Sequence, residues 1–439
     1  MADQTERETL AVAVIRQLRG HRHKAFLVGG CVRDRLLGIQ PRDFDVATDA
    51  PPAQLADYFP GALLVGAHFG VVLVKEGSAQ VEVATFRSEG AYSDGRRPDE
   101  VRFESDPALD ARRRDFSINA LMEDPLSGEV FDYVGGRADL ASKTIRAIGD
   151  AGRRFQEDHL RMLRAVRFAA RLNFLIEEKT RAAICQQAGS VTTVSADRVR
   201  DELVRIFTEG GARRGLELLD ELGLLAHVLP EVKAFQGVEQ PPEFHPEGEV
   251  WTHVLLMLEN MGTAPVSLAL GVLLHDVGKP PTFRRADRIR FDSHAEVGAL
   301  MARGLMERLR FSKDEVEQVT ALVANHMKFK DVTKMRASTL KRFLRLPNFA
   351  DHIELHRLDC LASNGRRESY DFIKQKLAEF SVQTLHPPRL ISGRDLISVG
   401  YSPGPAFAEA LEAVETAQLE GEIHTSGEAM EHARRVLDR

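Results

Sequence analysis

A chain of 439 residues, 43% hydrophobic and 28% charged, is too long for one ordinary core and reads as a soluble globular protein of roughly two to four domains. A net charge of −6 excludes a uniformly basic nucleic-acid binder and leaves that question to local basic clusters. Cys31, Cys185 and Cys360 lie far apart with no C-x-x-C pair, which excludes a disulfide framework or zinc ribbon and points to a reducing cytosol. The polar, acidic N-terminus is not a signal peptide. No apolar run reaches membrane-span length; Val266–Leu274 comes nearest. The expectation is therefore a cytoplasmic protein with no membrane partner.

In chain order, the spacing predicts a helix over Thr5–Arg19 and a short buried strand at Ala25–Val28. Helical turns follow at Val32–Leu37, then a strand at Phe44–Ala47 and a helix at Pro52–Phe59. Leu63–Val65 and Gly70–Val74 read as strands, and Gln80–Phe86 alternates as a half-buried strand should. Arg87–Val101 carries turn chemistry throughout and reads as a mobile loop. From Asp139 to Gly223 the pattern is helical without a good strand. Pro230–Pro246, with four prolines, reads as a linker, and the remainder from Val250 is again helical. There is no internal repeat or low-complexity segment.

Chemistry concentrates first in Leu27–Val46, L-V-G-G-C-V-R-D-R-L-L-G-I-Q-P-R-D-F-D-V. Asp43 and Asp45 would share one face of a strand, because its side chains alternate. Two such carboxylates repel unless a cation lies between them, which suggests a Mg²⁺ site. Gly29 and Gly30 allow close backbone approach to a ligand. A lone D-x-D is weak evidence, since surface Asp pairs are common. Arg33 and the run R-R-R-D-F-S-I-N-A-L (Arg112–Leu121) strengthen it, because arginine suits bidentate phosphate contact. The run also reads as basic charge where an apolar helix begins, or as a solvated turn. Glu82 is either a third carboxylate facing the metals or one half of a salt bridge.

In Phe155–Arg171, Asp158, Arg161, Arg164 and Arg167 recur every third residue. On a helix this makes a drifting row of neighbours, which is either a solvated ion-pair face or something sharper. An Asp beside an Arg offers one acceptor and one donor. That pairing suits the amino donor and ring-nitrogen acceptor of cytosine or adenine and rejects uracil and guanine.

Taken together, G-G-C-V-R-D-R-L-L-G…D-F-D, R-R-R-D-F-S-I-N-A-L, D-P-L-S-G-E-V-F-D and E-D-H-L-R-M-L-R-A-V-R-F-A resemble the ordered motifs of the bacterial class II CCA-adding tRNA nucleotidyltransferase and poly(A) polymerase family. The resemblance covers about residues 20–225. S-A-D-R-V-R-D-E-L (Ser195–Leu203) is similar to a further motif but has Asp197 where Glu is usual. The resemblance implies an α+β protein: a polymerase-β-like nucleotidyltransferase head (residues 1–140) followed by an all-helical neck (141–235), HD body (245–365) and tail (366–439). It implies Asp43 and Asp45 as catalytic Mg²⁺ ligands, and Gly30, Arg33 and Arg114 as nucleotide contacts. Asp158 and Arg161 become the base-reading pair, supported by Arg164 and Arg167. The implied partners are the tRNA 3′ end, CTP and ATP, with no obligate protein partner evident. The implied reaction builds or repairs the 3′-terminal CCA without a template. Alternatives are a poly(A) polymerase or A-adding enzyme, or mainly an HD phosphohydrolase. The loop with Tyr92, Arg96 and Arg97 resembles the family's segment associated with A addition and disfavours a CC-only enzyme.

A second constellation lies in the C-terminal half: His253, His275 with Asp276, His294, His326 and Asp359, spread over successive predicted helices. Imidazole and carboxylate suit a divalent transition metal. The set resembles an HD-domain phosphohydrolase, with His253, His275, Asp276 and Asp359 as its core and His294 and His326 as the expansion for a second metal. The alternative is an inert HD scaffold that only shapes the RNA-binding body. Lys341, Arg342 and Arg345 form a basic helix face that reads as solvated.

Overall fold

The computed structural model describes residues 4–64, 70–90, 92 and 100–438. Val65, Arg96 and Arg97, on which two of the expectations above fall, lie outside the described residues. The chain divides into two compact units, residues 1–233 and 234–439.

The first unit begins with a helix, Gln4–Gly20, whose buried stripe of Leu10, Ala11, Val14, Ile15 and Leu18 recurs at helical spacing. The strands that follow are β1 (Ala25–Val28), β2 (Asp45–Thr48), β3 (Leu63–Leu64), β4 (Val71–Glu76) and β5 (Ala79–Thr85). Next come β6 (Arg87–Glu89), β7 (Val101–Phe103), β8 (Met122–Glu123) and β9 (Val130–Phe131). Seven of them form one sheet in the order β3-β4-β5-β2-β1-β8-β9. β1 is buried along its whole length, as its unbroken apolar run requires.

Two registers place the chemistry. Antiparallel pairing sets Val28 opposite Asp45, so the end of β1 delivers Gly29 beside the two aspartates. Parallel pairing sets Glu82 opposite Asp45. Phe26, Val28, Ala47, Phe86, Ala111 and Met122 pack as a core beneath this edge.

Several expectations change. Arg87–Glu89 is not loop but pairs with Val101–Phe103 as the short ribbon β6–β7. Arg112 and Arg113 close a helix, Pro107–Arg113, and do not open one; cations there complement the carbonyl end of the helix. The neck, expected to lack strands, has Thr144–Ile145 paired in parallel with Leu175–Ile176. Two-residue strands carry no readable periodicity. The helices that matter for the site are Ala151–Glu157, Leu160–Leu172 and Ala196–Thr208. Asp197 lies in the first turn of the last of these, where an acidic group complements the exposed N–H groups.

The described residues of the second unit are mainly helical but include a hairpin, Phe283–Arg285 with Ile289–Phe291, which the helical reading did not foresee. The proline-rich stretch is not a featureless linker. It contains the helix Pro230–Lys233, a fully buried Phe235, and a backbone bridge between Glu239 and Glu249. The basic residues Lys341, Arg342 and Arg345 are likewise not simply solvated. Lys341 donates to the Leu419 carbonyl at 2.6 Å, Arg342 and Arg345 pair with Glu415 at 3.2 and 2.7 Å, and Arg345 also donates to the Leu385 carbonyl. They fasten the helix Ala337–Leu344 and its end to the helix Pro405–Glu420.

Candidate active site and candidate metal centre

A cavity of about 980 Å³ in the first unit is lined by Gly30, Arg33, Asp43, Asp45, Arg114, Asp158, Arg161, Arg164 and Arg167, but not by Glu82. Arginines outnumber carboxylates along its wall, which suits a polyanionic ligand.

At one end stand Asp43 and Asp45. Asp43 is exposed and accepts from Arg7 Nη1 at 2.8 Å. Asp45 is more enclosed. Burial and the neighbouring Glu82 carboxylate push it up to about 6, with Arg114 opposing and Asp43 assisting. Carboxylates crowded this way favour a divalent cation over a lone proton. Glu82 makes no ion pair among the described residues.

Of the glycine pair, Gly29 is the one the geometry requires. Gly29 has φ 77°, and a Cβ there would come within 3.3 Å of Arg114 Nη1. Arg114 is itself oriented by the buried Asp110, at 3.0 Å. Arg33 is 3% exposed; it donates to Asn119 Oδ1 at 2.6 Å and pairs with Asp34 at 2.6 Å. Its guanidinium also lies over the Phe168 ring, at 5.2 Å.

Across the cavity, Asp158 falls in the break between the helices Ala151–Glu157 and Leu160–Leu172. One of its oxygens accepts the Leu160 N–H at 3.1 Å, and the other pairs with Arg198 at 2.8 Å. Arg161 turns instead to Glu157, at 2.6 Å. Asp158 and Arg161 therefore share the cavity wall, each with a different protein partner. Arg164 pairs with Asp115 at 2.6 Å and Arg167 with Glu202 at 2.7 Å. Asp115 is buried, but the Arg164 guanidinium and the Asn119 and Phe116 N–H donors bring it down to about 2. Burial lowers the Arg167 guanidinium to about 10 in spite of Glu202.

Sequence reasoning did not find Arg7, Asp110, Asn119, Glu157, Arg198 or Glu202. Arg198 and Glu202 sit in the S-A-D-R-V-R-D-E-L motif, which was the available signal. Tyr92 donates to Glu89 Oε2, and Glu89 also receives Arg113 at 3.2 Å; all three line the cavity.

The second constellation converges in the second unit. His253 lies in the helix Val250–Met261, and His275 and Asp276 follow the apolar helix Val266–Leu274. His294 opens the helix His294–Arg308, His326 follows Lys313–Asn325, and Asp359 lies in Phe349–Ala362. Gly278 permits this convergence: a Cβ there would lie 2.1 Å from the His294 carbonyl oxygen. His253, His275 and Asp359 offer ligand atoms within 4.8 Å of one another, and so do Asp276, His294 and His326.

The donor set fits cations. His253 Nε2, His275 Nε2 and both Asp276 oxygens are buried and make no well-aligned hydrogen bond; their polar neighbours are ion-pair approaches, Lys279 and His275 to Asp276 at 2.7 and 3.1 Å and Asp359 to His253 at 3.3 Å. Despite burial, the surrounding imidazoles and Lys279 hold Asp276 well below the usual carboxylate range. Burial pushes His326 down to about 3 and also lowers His294, which leaves neutral imidazoles free to ligate. Burial opposes protonation of His253 too, but Asp359 and Glu247 lift it to about 9.

Comparison with known proteins matches the segments in which the two constellations lie. Residues 25–146 match the poly A polymerase head domain, residues 173–236 a probable RNA and SrmB-binding site of polymerase A, and residues 248–358 the HD domain. The CC-adding tRNA nucleotidyltransferase of Thermus thermophilus is 35% identical over 422 residues, which is 92% of each chain. The CCA-adding enzyme of Lactobacillus johnsonii is 35% identical over 259 residues, covering 57% of this chain and 64% of its own length. That of Enterococcus faecalis is 39% identical over 254 residues, covering 56% and 62%. This chain thus spans less than two thirds of those CCA-adding relatives. The crystal structure of the Bacillus stearothermophilus CCA-adding enzyme in complex with CTP superposes with a TM-score of 0.76 at 25% identity, over 100% of both chains. No described helix is long and apolar enough to cross a membrane. On its near full-length match to the Thermus enzyme, the chain belongs to the family of tRNA nucleotidyltransferases that includes the CC-adding and CCA-adding enzymes.

Proposed function

We propose that this protein is a CCA tRNA nucleotidyltransferase of the cytoplasm, which adds or repairs the tRNA 3′-terminal CCA from CTP and ATP without a template. The observation that carries the reading is the single cavity joining the carboxylates Asp43 and Asp45 to Asp158 and Arg161. One end suits phosphoryl chemistry and the other suits reading a base edge.

In this reading the RNA 3′-hydroxyl attacks the α-phosphate. A new O–P bond forms, the bond to the β-phosphate breaks, and pyrophosphate leaves. Asp43 and Asp45 would hold Mg²⁺, which lowers the hydroxyl's pKa and offsets charge on the phosphates. Gly30, Arg33 and Arg114 bind the triphosphate. Asp158 accepts from the amino group of C or A, and Arg161 donates to the ring nitrogen. Arg164 and Arg167 hold this helix in place through Asp115 and Glu202. The proposed division is a head (1–140), a neck (141–235), an HD body (245–365) and a tail (366–439).

In the HD body, His253, His275, Asp276 and Asp359 would hold one divalent transition metal, and Asp276, His294 and His326 a second. Such a centre supplies an activated water for phosphoester hydrolysis. Trimming of phosphates or cyclic phosphates from RNA ends is its proposed task.

The test is incubation of purified protein with tRNA lacking its 3′ end and each labelled nucleotide, alone and together. Addition of C, C and then A, stopping there, is the expected outcome. Open-ended A incorporation overturns it in favour of a tailing enzyme. Arrest after two C residues supports a second reading, CC addition only, which the Thermus relative favours by its match over 92% of both chains.

A further inference from the structure

We propose that Glu247 is a positioning residue of the HD centre, fixing the His253 ring so that its Nε2 faces the metal. This rests on the metal-binding reading of that centre given above.

The histidines of the centre are not oriented alike. His275 Nδ1 lies 2.9 Å from the Val272 carbonyl, His294 Nδ1 2.8 Å from that of Phe291, and His326 Nδ1 2.7 Å from that of Val323. In each case the partner is the carbonyl three residues back, so the chain turn itself fixes the ring and leaves Nε2 for the site. His253 differs. It lies inside the first turns of a helix, Val250–Met261, and its Nδ1 is 2.7 Å from a carboxylate oxygen, Oε1 of Glu247. A carboxylate accepting the far N–H of a ligating histidine fixes the tautomer and makes the ligating nitrogen more basic. His253 Nε2 then points to Asp359, at 3.3 Å.

Glu247 is held for this role. The backbone is pinched at its base, with Gln240 N–H donating to the Gly248 carbonyl at 2.8 Å and Val250 N–H to that of Val238 at 3.0 Å. His245 Nδ1 approaches the same Glu247 oxygen at 2.8 Å. Gln240, on the opposite limb of the pinch, accepts from Lys279, which in turn pairs with Asp276 at 2.7 Å. The loop is thus tied to the centre from both limbs. Its residues 238–247 precede the matched HD segment, 248–358, so this support comes from outside the domain's own pattern.

His245, Glu247 and His253 also lie close enough to hold an ion of their own. That arrangement would use His253 Nδ1 as ligand. Nε2 would still face Asp359, so the two arrangements differ in whether His245 ligates.

The test uses the full chain carrying Asp43→Ala and Asp45→Ala, so that the head does not compete for metal. The chelator-stripped protein is titrated with Co²⁺ alone, following its visible absorption bands and its competition with a chelating dye. Glu247→Ala is expected to weaken Co²⁺ binding about 10- to 100-fold. Glu247→Gln is expected to lose less, because an amide oxygen still accepts the Nδ1–H. His245→Ala is expected to stay near the parent in stoichiometry, and His275→Ala to lose the site. Thermal melts followed by circular dichroism check that each variant is folded; if Glu247→Ala is not, Glu247→Gln and His245→Ala carry the comparison. Parent-like affinity in Glu247→Ala, with loss in His275→Ala, overturns the positioning role and leaves the metal centre standing. Loss of one Co²⁺ equivalent in His245→Ala overturns it in favour of direct ligation. Equal binding by the parent and His275→Ala overturns the metal reading itself, and the proposal with it.

Discussion

Asp158 is paired with Arg198 at 2.8 Å, while Arg161, one turn along, pairs with Glu157. The acceptor and donor proposed to read the base are therefore held by two different neighbours. Asp158 is steadied from another helix, Ala196–Thr208. Removing Arg198 leaves the Asp158 carboxylate free to turn away from the base edge. Arg198→Ala should lower kcat/KM for both CTP and ATP about tenfold, the scale of one charge-assisted hydrogen bond. Misincorporation of UTP should rise with it. Single-turnover extension with each nucleotide measures both. Unchanged selectivity would show that Arg198 is only a structural partner.

Arg7 competes for Asp43. Its Nη1 lies 2.8 Å from Asp43 Oδ1 and also donates to the Arg42 carbonyl at 2.7 Å. A cation bound by Asp43 must displace or share this contact. Exposed ion pairs of this kind contribute about 0.5–1 kcal/mol. Arg7→Ala should thus lower the Mg²⁺ concentration for half-maximal transfer about two- to fivefold. A Mg²⁺ titration of initial rates reads this directly. A higher Mg²⁺ requirement would mean that Arg7 holds Asp43 in its binding position instead.

Asp45 predicts a conflict between function and stability. Burial and Glu82 raise it to about 6 in the folded protein, above its unfolded value of about 3.9. A carboxylate raised in this sense opposes folding when ionised. Stability should therefore fall as pH rises from about 4 through about 6 and stay lowered above. Asp45 keeps some exposure, which screens the effect to on the order of 1–2 kcal/mol. In chelator at pH 7.5, Asp45→Asn should melt higher than the native protein while losing nucleotidyl transfer. Added Mg²⁺ should raise the native melting temperature and leave that of the variant unchanged. A variant that melts lower in chelator would contradict the argument.

Much of the site was legible because its residues are short-range. Gly30, Arg33, Asp43 and Asp45 fall within sixteen residues of sequence, where strand alternation and glycine chemistry speak directly. The convergence of the histidines and aspartates in the second unit was legible because these residues are chemically conspicuous within the first or last turns of helices. What stayed hidden depends on partners far along the chain. Asp115 and Arg164 are 49 residues apart, and no period links them. Glu247 lies one residue beyond the proline-rich stretch Pro230–Pro246, whose composition suggested a linker because backbone bridges such as Glu239 to Glu249 leave no trace in composition. The face formed by Lys341, Arg342 and Arg345 misled for the opposite reason: charge at helical spacing normally marks solvent, yet here it meets Glu415 and backbone carbonyls.

The Asp115–Arg164 pair predicts an acid-sensitive link between the segment Arg112–Leu121 and the helix Leu160–Leu172. Asp115 follows the arginine run, and its other oxygen accepts from the Phe116 N–H at 2.7 Å and Asn119 Nδ2 at 3.2 Å. Asn119 in turn accepts from Arg33, so the link runs on to the glycine loop. Asp115 stands at about 2 against an unfolded value of about 3.9, a difference of about 2.6 kcal/mol if fully buried. Arg164 is 33% exposed, which reduces the expectation to about 1–2 kcal/mol. A depressed carboxylate contributes fully above its unfolded pKa and loses that contribution as pH falls toward the folded one. About half should be gone by pH 3. Denaturant unfolding of the native protein and Asp115→Asn at pH 6, 4 and 3 should show the native protein ahead at pH 6. The gap should close steadily below pH 4. A gap that stays constant across this range would mean that Asp115 acts through its neutral hydrogen bonds and not through its charge.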